Sequence, residues 1–428
     1  MITRRMRLWA LVPVWLATLA GCASPPVTQH ASPPAAAAAT LRSTPLKPEP
    51  VPLISSGHSV RWWFVFKFNA KAFPQCGAGP TTESCIFGGK PSTKPKGQQF
   101  VFASSSDSHL SKGNTCLGQS QEDPVGATFS QVYSGNDYYV VWNDQFYNDP
   151  KIAGCSSNCM APWAHSKGVL AWDDNGNGFL MQVTTPSWPG GASAQHPRAA
   201  GNTLGCVSND NNIEFSQHFF ALQLNHDDLT KVLKAMANAS VATDPDNPQI
   251  VRNGGPADVK ALVIALGSKS ASTAMTVDKL STGVEMISKP SKLAVPPWPL
   301  VSSLLGGASL KVANWWNAPD RIPDSTASTP VDCWSAELGK PGAISSATTG
   351  QWSGVTFNLQ GGASADHNHA KVAIGTDAGS DIVVFGDMNQ QGSLKGHCTV
   401  AQNGRGGLFF VLHDQALNHD LAHMMSSP

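Results

Sequence analysis

Two tripeptides, His165-Ser166-Lys167 and His369-Ala370-Lys371, carry the residue types that phosphoryl chemistry needs. Residues i and i+2 of an extended strand share a face, so each tripeptide presents an imidazole beside an ammonium. If the two pairs met, one neutral imidazole could attack phosphorus and form a phosphohistidine. The other, protonated, would give its proton to the leaving alkoxide and then activate water. The lysines would lie on the non-bridging oxygens and stabilise the developing charge. No metal or other cofactor is required. Holding one neutral and one charged imidazole suits mildly acidic conditions. A single His-x-Lys means little, because surface His and Lys often fall at this spacing; two copies in matching settings mean more.

The settings do match. Each tripeptide leads into an apolar strand, an Asp/Gly turn and a second apolar strand. The first copy runs Gly168–Trp172, DDNGNG and Phe179–Val183; the second pairs Val372–Ile374 with Ile382–Phe385. These are hairpin signals. RWWFVFKF at 61–68 and YYVVW at 138–142 predict two buried strands. Over 227–239 the period changes. Leu229, Val232, Leu233 and Met236 fall at i, i+3, i+4 and i+7, a helix that Asp227 or Asp228 would cap. ADVKALVIAL at 257–266 and the terminal LHDQALNHDLAHMM predict two more helices. The expected fold is mixed α/β (α+β). It would have two pseudo-symmetric β-sheet halves, 56–225 and 226–428, flanked by helices, with one composite active site at their junction.

At 428 residues the chain has room for roughly two to three domain units. It is 41% apolar and only 14% charged, with 39 Gly and 31 Pro. The usual charged fraction is ~25%, so a coiled coil or helical repeat array is excluded. Zero formal net charge excludes bulk electrostatic coating of nucleic acid but leaves local capture open. Residues 1–21 read as an export signal, with Arg4, Arg5 and Arg7 before the apolar run Leu8–Leu19. The run ends in Leu19-Ala20-Gly21-Cys22, which resembles the lipobox of a bacterial lipoprotein. That resemblance implies acylation of Cys22 and contact with a membrane only through this lipid. No acidic residue follows Cys22, which favours the outer membrane. Residues 22–55 form a Pro/Ala-rich tether. The eight remaining cysteines allow up to four disulfides, whose pairing sequence alone does not give.

The segments around the two tripeptides resemble the deoxyribonuclease II family, whose fold is similar to that of the phospholipase D superfamily. RWWFVFKF matches the family's opening strand, and YYVVWNDQ the strand that ends in Asn-Asp. AHSKGVLAWDDNGNGFLMQVTTPSWP matches the first His-x-Lys hairpin and DHNHAKVAI the second. FGDMNQQG and the RGG at 405–407 match the closing segment. The resemblance spans about residues 60–412. It implies endonucleolytic hydrolysis of DNA at acid pH without metal, leaving 3′-phosphates. His165, Lys167, His369 and Lys371 would be catalytic, with His369 favoured as nucleophile. Asn389 would support the phosphate pocket, and Asp387 would orient a histidine or lysine. Arg405 and Asn143 are candidate substrate contacts. Other readings are a lipid phosphodiesterase of the same superfamily and an inactive surface-binding module.

The sequence departs from the family at the second pair, where Asp366-His367-Asn368-His369 offers two histidines; only His369 keeps the spacing. Residues 240–300 match nothing in the family. Asp173 and Asp377 fall one residue beyond the superfamily's Asp and read as turn residues. Asp173–Gly178 opens like a calcium loop, but the twelfth position is Thr184 rather than Glu, so it reads as a hairpin tip. Cys155-x3-Cys159 lacks a histidine at zinc-finger spacing. Trp188, Trp315 and Trp316 are better read as core than as stacking platforms.

Overall fold

The apolar runs form the middle of two large sheets. The computed structural model describes residues 48–426 apart from 75, 77–85, 89–96, 200, 203, 205–212, 318 and 363. The export signal, Cys22, most of the tether, Cys85 and Cys206 therefore lie outside the described residues. The first sheet contains β1 (Trp62–Lys67), β2 (Phe100–Ser104), β3 (Asp107–Lys112), β4 (Tyr138–Asn143), β5 (Lys167–Trp172), β6 (Gly178–Val183), β7 (Gln217–Leu224) and β8 (Val251–Arg252). Its order is β8-β4-β5-β6-β7-β1-β2-β3, antiparallel throughout. The second contains β9 (Thr276–Lys279), β10 (Glu285–Lys289), β11 (Leu310–Ala313), β12 (Ile344–Ser346), β13 (Val372–Gly375), β14 (Ile382–Gly386) and β15 (Gly407–His413). Its order is β9-β10-β15-β14-β13-β11-β12, with β11 and β12 parallel.

The two orders correspond strand for strand. β4-β5-β6-β7-β1 runs parallel in plan to β11-β13-β14-β15-β10, and each His-x-Lys stands at the start of its second strand. The registers agree as well. Lys167 faces Asn143, and continuing the pairing of Val372 with Ala313 sets Lys371 opposite Asn314. Val183 pairs with Phe219 as Gly386 pairs with Phe409. β8 breaks the pattern: it joins the first sheet although it follows residue 225, which would otherwise separate the halves.

Strand alternation assigns each face. Phe64, Phe220, Phe385 and Phe410 point between the sheets. Phe385 stacks on Phe64 and Phe220 with ring centroids 4.7 and 4.3 Å apart, and Phe220 meets Phe410 at 5.8 Å. Their neighbours Val384, Phe409 and Val411 face the other way, onto the helix Pro297–Leu304 through Trp298. On the far side of the first sheet, Phe219 meets Trp188, which meets Phe129 of the helix Pro124–Tyr133. The result is two sheets face to face with helices outside, a layered solution for sheets apolar on both faces.

The helix predicted over 227–239 is His226–Ala239, with Leu229, Val232, Leu233 and Met236 fully buried. Its cap differs from the expectation. Asn225 accepts from the Asp228 amide, while Asp228 returns a bond as the third helical residue, a capping box. The other two helices run Ala257–Ile264 and Gln415–Met424. Among the described residues the first regular element is the strand Leu53–Ser55, inside the stretch expected to be tether. Leu53 is held there by Thr128. Disulfides join Cys76 to Cys116, Cys155 to Cys159 and Cys333 to Cys398. Among the described residues no helix is long and apolar enough to cross a membrane.

Because Phe385 touches both phenylalanines of the opposite sheet, Phe385→Ala is expected to cost about 3–5 kcal/mol. Guanidinium denaturation at pH 7 checks this; a loss under ~1 kcal/mol would mean the sheets are held elsewhere.

Candidate active site

Both tripeptides stand at the same end of the sandwich, and each histidine is held by the other sheet. The His165 amide donates to the carbonyl of Gly406, and its Nδ1 lies 2.9 Å from the carbonyl oxygen of Asp387, just past β14. The His369 amide donates to the carbonyl of Ser216, and its Nδ1 lies 2.8 Å from the carbonyl oxygen of Thr184, just past β6. In the register above, Asp387 is the counterpart of Thr184 and Gly406 of Ser216. A carbonyl can only accept, so Nδ1 carries the hydrogen in both rings and the lone pair of each neutral ring sits on Nε2. The rings are close enough to feel each other's charge. Burial first, then Lys371, Lys167 and His165, holds His369 well below its ordinary value. Burial, Lys167, Arg405 and Lys371 do the same to His165.

The two lysines are less alike. Lys167 Nζ lies 2.5 Å from Asp144 Oδ1, and both side chains are buried. Arg405 Nη2 holds the other oxygen of Asp144 at 2.9 Å. Arg405 also donates to the carbonyls of Trp163, Cys159 and Ala164. Lys371 Nζ donates to the carbonyl of His369 at 2.6 Å and stands 3.3 Å from its Nδ1, as a charge neighbour. No carboxylate pairs with it among the described residues. Burial, then Lys167, pulls Lys371 well below its ordinary value. Three cations thus gather beside two carboxyls. One of these, Asp387, burial pushes up to about 7 against its hydrogen bonds from Ser166, Leu408 and Gln182. The site is short of negative charge, and a phosphodiester would supply it.

Asn389 Nδ2 lies 3.5 Å from His165 Nε2 and donates to Gln391; its buried Oδ1 has no partner among the described residues. Asp387 orients His165 through its main chain, while its carboxyl accepts from Gln182 and the Leu408 amide. Gln182 in turn contacts His218, whose Nδ1 accepts from the Lys371 amide. Sequence reasoning missed this Gln182–His218 link. The available signal was two polar residues inside otherwise apolar strands.

Residues 53–427 match the family model described as Deoxyribonuclease II. The chain belongs to the deoxyribonuclease II family. Deoxyribonuclease-2-alpha of Rattus norvegicus is 25% identical over 362 residues, covering 78% of this chain and 83% of the relative. Cell-death-related nuclease 7 of Caenorhabditis elegans is 24% identical over 350 residues, covering 79% and 78%.

Within this member of the deoxyribonuclease II family, the two candidate substrate contacts turn inward. Asn143 is fully buried; it donates to the Trp188 carbonyl and accepts from the Gln145 amide, the bonding of a strand-end turn. Arg405 spends Nε and Nη2 on Asp144 and three carbonyls, so both residues serve the framework. His367 also stands apart. Its Nδ1 bonds within its own turn to Ser364, beside Asp366, which Lys71 pairs. Asp173 accepts from the amides of Asn175 and Asn177, closing a hairpin tip. Cys155 and Cys159 form a disulfide. Trp188 and Trp316 are buried, whereas Trp315 is half-buried, with its ring centroid 5.8 Å from that of His369.

Asp144→Asn leaves two buried cations facing a neutral amide and is expected to cost roughly 3–5 kcal/mol. Chemical denaturation at pH 7 measures it, and a loss below ~1 kcal/mol would contradict the ion triad. A second expectation concerns pH. The folded rings of His165 and His369 resist protons that the unfolded chain takes up below about pH 6.5. They therefore withdraw stability as pH falls through that value toward their depressed folded values. A bound oxyanion would reverse this. Sulfate is expected to raise the melting temperature more at pH 5.5 than at pH 8. The double variant His165→Ala/His369→Ala should show equal shifts at the two pH values. Equal shifts in the unaltered protein would contradict anion binding at the pair.

Proposed function

We propose that this chain is a metal-independent endonuclease that hydrolyses DNA phosphodiester bonds at acid pH through its histidine pair. The family and its two relatives, named as a deoxyribonuclease and a nuclease, support DNA as substrate. The observation that carries the reading is the reciprocal anchoring of the two Nδ1 atoms. It leaves both Nε2 atoms available in a site flanked by two lysines.

In this reading His369 Nε2 attacks phosphorus. The P–N bond forms as the bond to the 5′ oxygen breaks, and His165 delivers its Nε2 proton to that oxygen. Water then attacks the phosphohistidine and gives its proton to His165. The P–N bond breaks and a 3′-phosphate remains on the strand. His369 is favoured as nucleophile on family resemblance alone; burial and the neighbouring lysines disfavour a proton on both rings. Lys167 and Lys371 supply cationic charge to the non-bridging oxygens. Asn389 stands where it can support the phosphate beside His165. Burial disfavours the protonated ring that the second role needs; acid medium and the substrate's own negative charge both favour it.

Export, cleavage before Cys22, acylation of its thiol and sorting to the outer membrane belong to the same proposal and rest on the leader. Mass spectrometry of the mature N-terminus is expected to find acylated Cys22 as the first residue.

The test of the reaction is nicking of supercoiled plasmid in EDTA at pH 5 and pH 7.5. Nicking is expected at pH 5, slower at pH 7.5, and lowered about 10²- to 10⁴-fold in His165→Ala and in His369→Ala. No nicking by the unaltered protein at either pH would sink the nuclease reading. Activity abolished by EDTA would sink the metal-free route.

A further inference from the structure

Two lysines outside the histidine pair are fully buried, Lys67 and Lys289. They are the last residues of β1 and β10, strands that occupy the same place in the two sheets. Their register is the same, since Lys67 pairs with Gln217, the first residue of β7, and Lys289 with Gly407, the first residue of β15. Their hydrogen bonds also match. Lys67 Nζ donates to the carbonyls of Phe215 at 2.7 Å, Gly97 at 2.6 Å and Phe68 at 3.3 Å. Lys289 Nζ donates to the carbonyls of Arg405 at 2.8 Å, Asn403 at 2.9 Å and Pro290 at 3.5 Å.

Burying an ammonium against neutral carbonyls is costly, and an apolar side chain of similar volume would be the cheaper way to fill the same space. Burial pushes Lys289 down to about 7. Burial of a lysine at equivalent positions of the two sheets, on equivalent carbonyls, points to a geometric purpose. Each lysine fixes the carbonyl directly before the residue that anchors a histidine of the opposite half. Phe215 precedes Ser216, whose carbonyl accepts the His369 amide; Arg405 precedes Gly406, whose carbonyl accepts the His165 amide. Both anchoring segments are strand entries, just before the first residues of β7 and β15. Gly406 is pressed so closely against the chain that a Cβ there would lie 1.9 Å from the Ala239 carbonyl oxygen.

We propose that Lys67 and Lys289 are positioning residues that act across the junction, Lys67 on His369 and Lys289 on His165. This rests on the histidine-pair reading above, but its test needs no substrate. The probes are Lys67→Met and Lys289→Met, with imidazole ¹⁵N–¹H spectra and turnover of an oligodeoxynucleotide. Lys67→Met is expected to move the His369 ring resonances and leave those of His165 in place; Lys289→Met should do the reverse. Turnover should fall roughly 10- to 100-fold, as for a small misplacement of a reacting group, with KM changed less than about twofold. Should a methionine variant fail to fold, Lys67→Gln and Lys289→Gln, which offer two donors instead of three from a shorter stem, are expected to move the same single ring by less. Spectra in which each variant moves both rings alike, or neither, would overturn the positioning role even if the unaltered protein cleaves DNA. Crossed ring shifts in a protein that cleaves no DNA would uphold the positioning and overturn only the reaction.

Discussion

Everything at the active end of this molecule depends on four hydrogen bonds that cross between the sheets. Each histidine gives one bond from its amide and one from Nδ1, and every acceptor is a main-chain carbonyl of the opposite half. Main-chain acceptors do not titrate and have no rotamers, so the ring orientation and tautomer follow directly from the mutual position of the sheets. That position is set by the stack of Phe64, Phe220, Phe385 and Phe410, rings whose offset contacts are among the stronger apolar pairings. A shift of one sheet along the other would therefore break both histidine anchors together. The aromatic core and the chemistry are coupled by geometry, and the strands that carry one necessarily carry the other.

Much of this was legible from the sequence, though unevenly. The hairpins that follow the His-x-Lys pairs announced themselves because β5, β6 and β14 are largely apolar, and short apolar runs on either side of a Gly/Asp turn have few other readings. The helix His226–Ala239 was equally plain, because its buried residues keep a helical period. What could not be read was the equivalence of β1 and β10. RWWFVFKF is bulky and aromatic because it lies at the centre of the larger sheet. EMISK shares with it only the closing lysine, so residues 240–300 read as a departure from the family although the family model spans them. The roles of Asn143 and Arg405 escaped for another reason. An inward-turned guanidinium and one that greets phosphate have identical sequence signatures, and only burial and partners distinguish them.

A phosphodiester is not symmetric about phosphorus: one oxygen leaves and the other stays with the phosphate. A perfectly two-fold site would treat the two alike, so the departures from symmetry are where direction must be set. The registers locate them. Asn143 corresponds to Asn314, so Asp144 corresponds to Trp315; Ser216 corresponds to Gly406, so Arg405 corresponds to Phe215. On the His165 side these positions hold the carboxylate–guanidinium pair that balances Lys167. On the His369 side they hold two aromatic residues, and Lys371, which no carboxylate touches among the described residues, donates to the His369 carbonyl instead. Both rings are nonetheless held well below the ordinary imidazole value, His165 by burial, Lys167, Arg405 and Lys371, and His369 by burial, Lys371, Lys167 and His165. Exchange of one ion pair for one aromatic pair thus gives two otherwise equivalent imidazoles different surroundings, and it is there that the two ends of an asymmetric phosphodiester can be told apart.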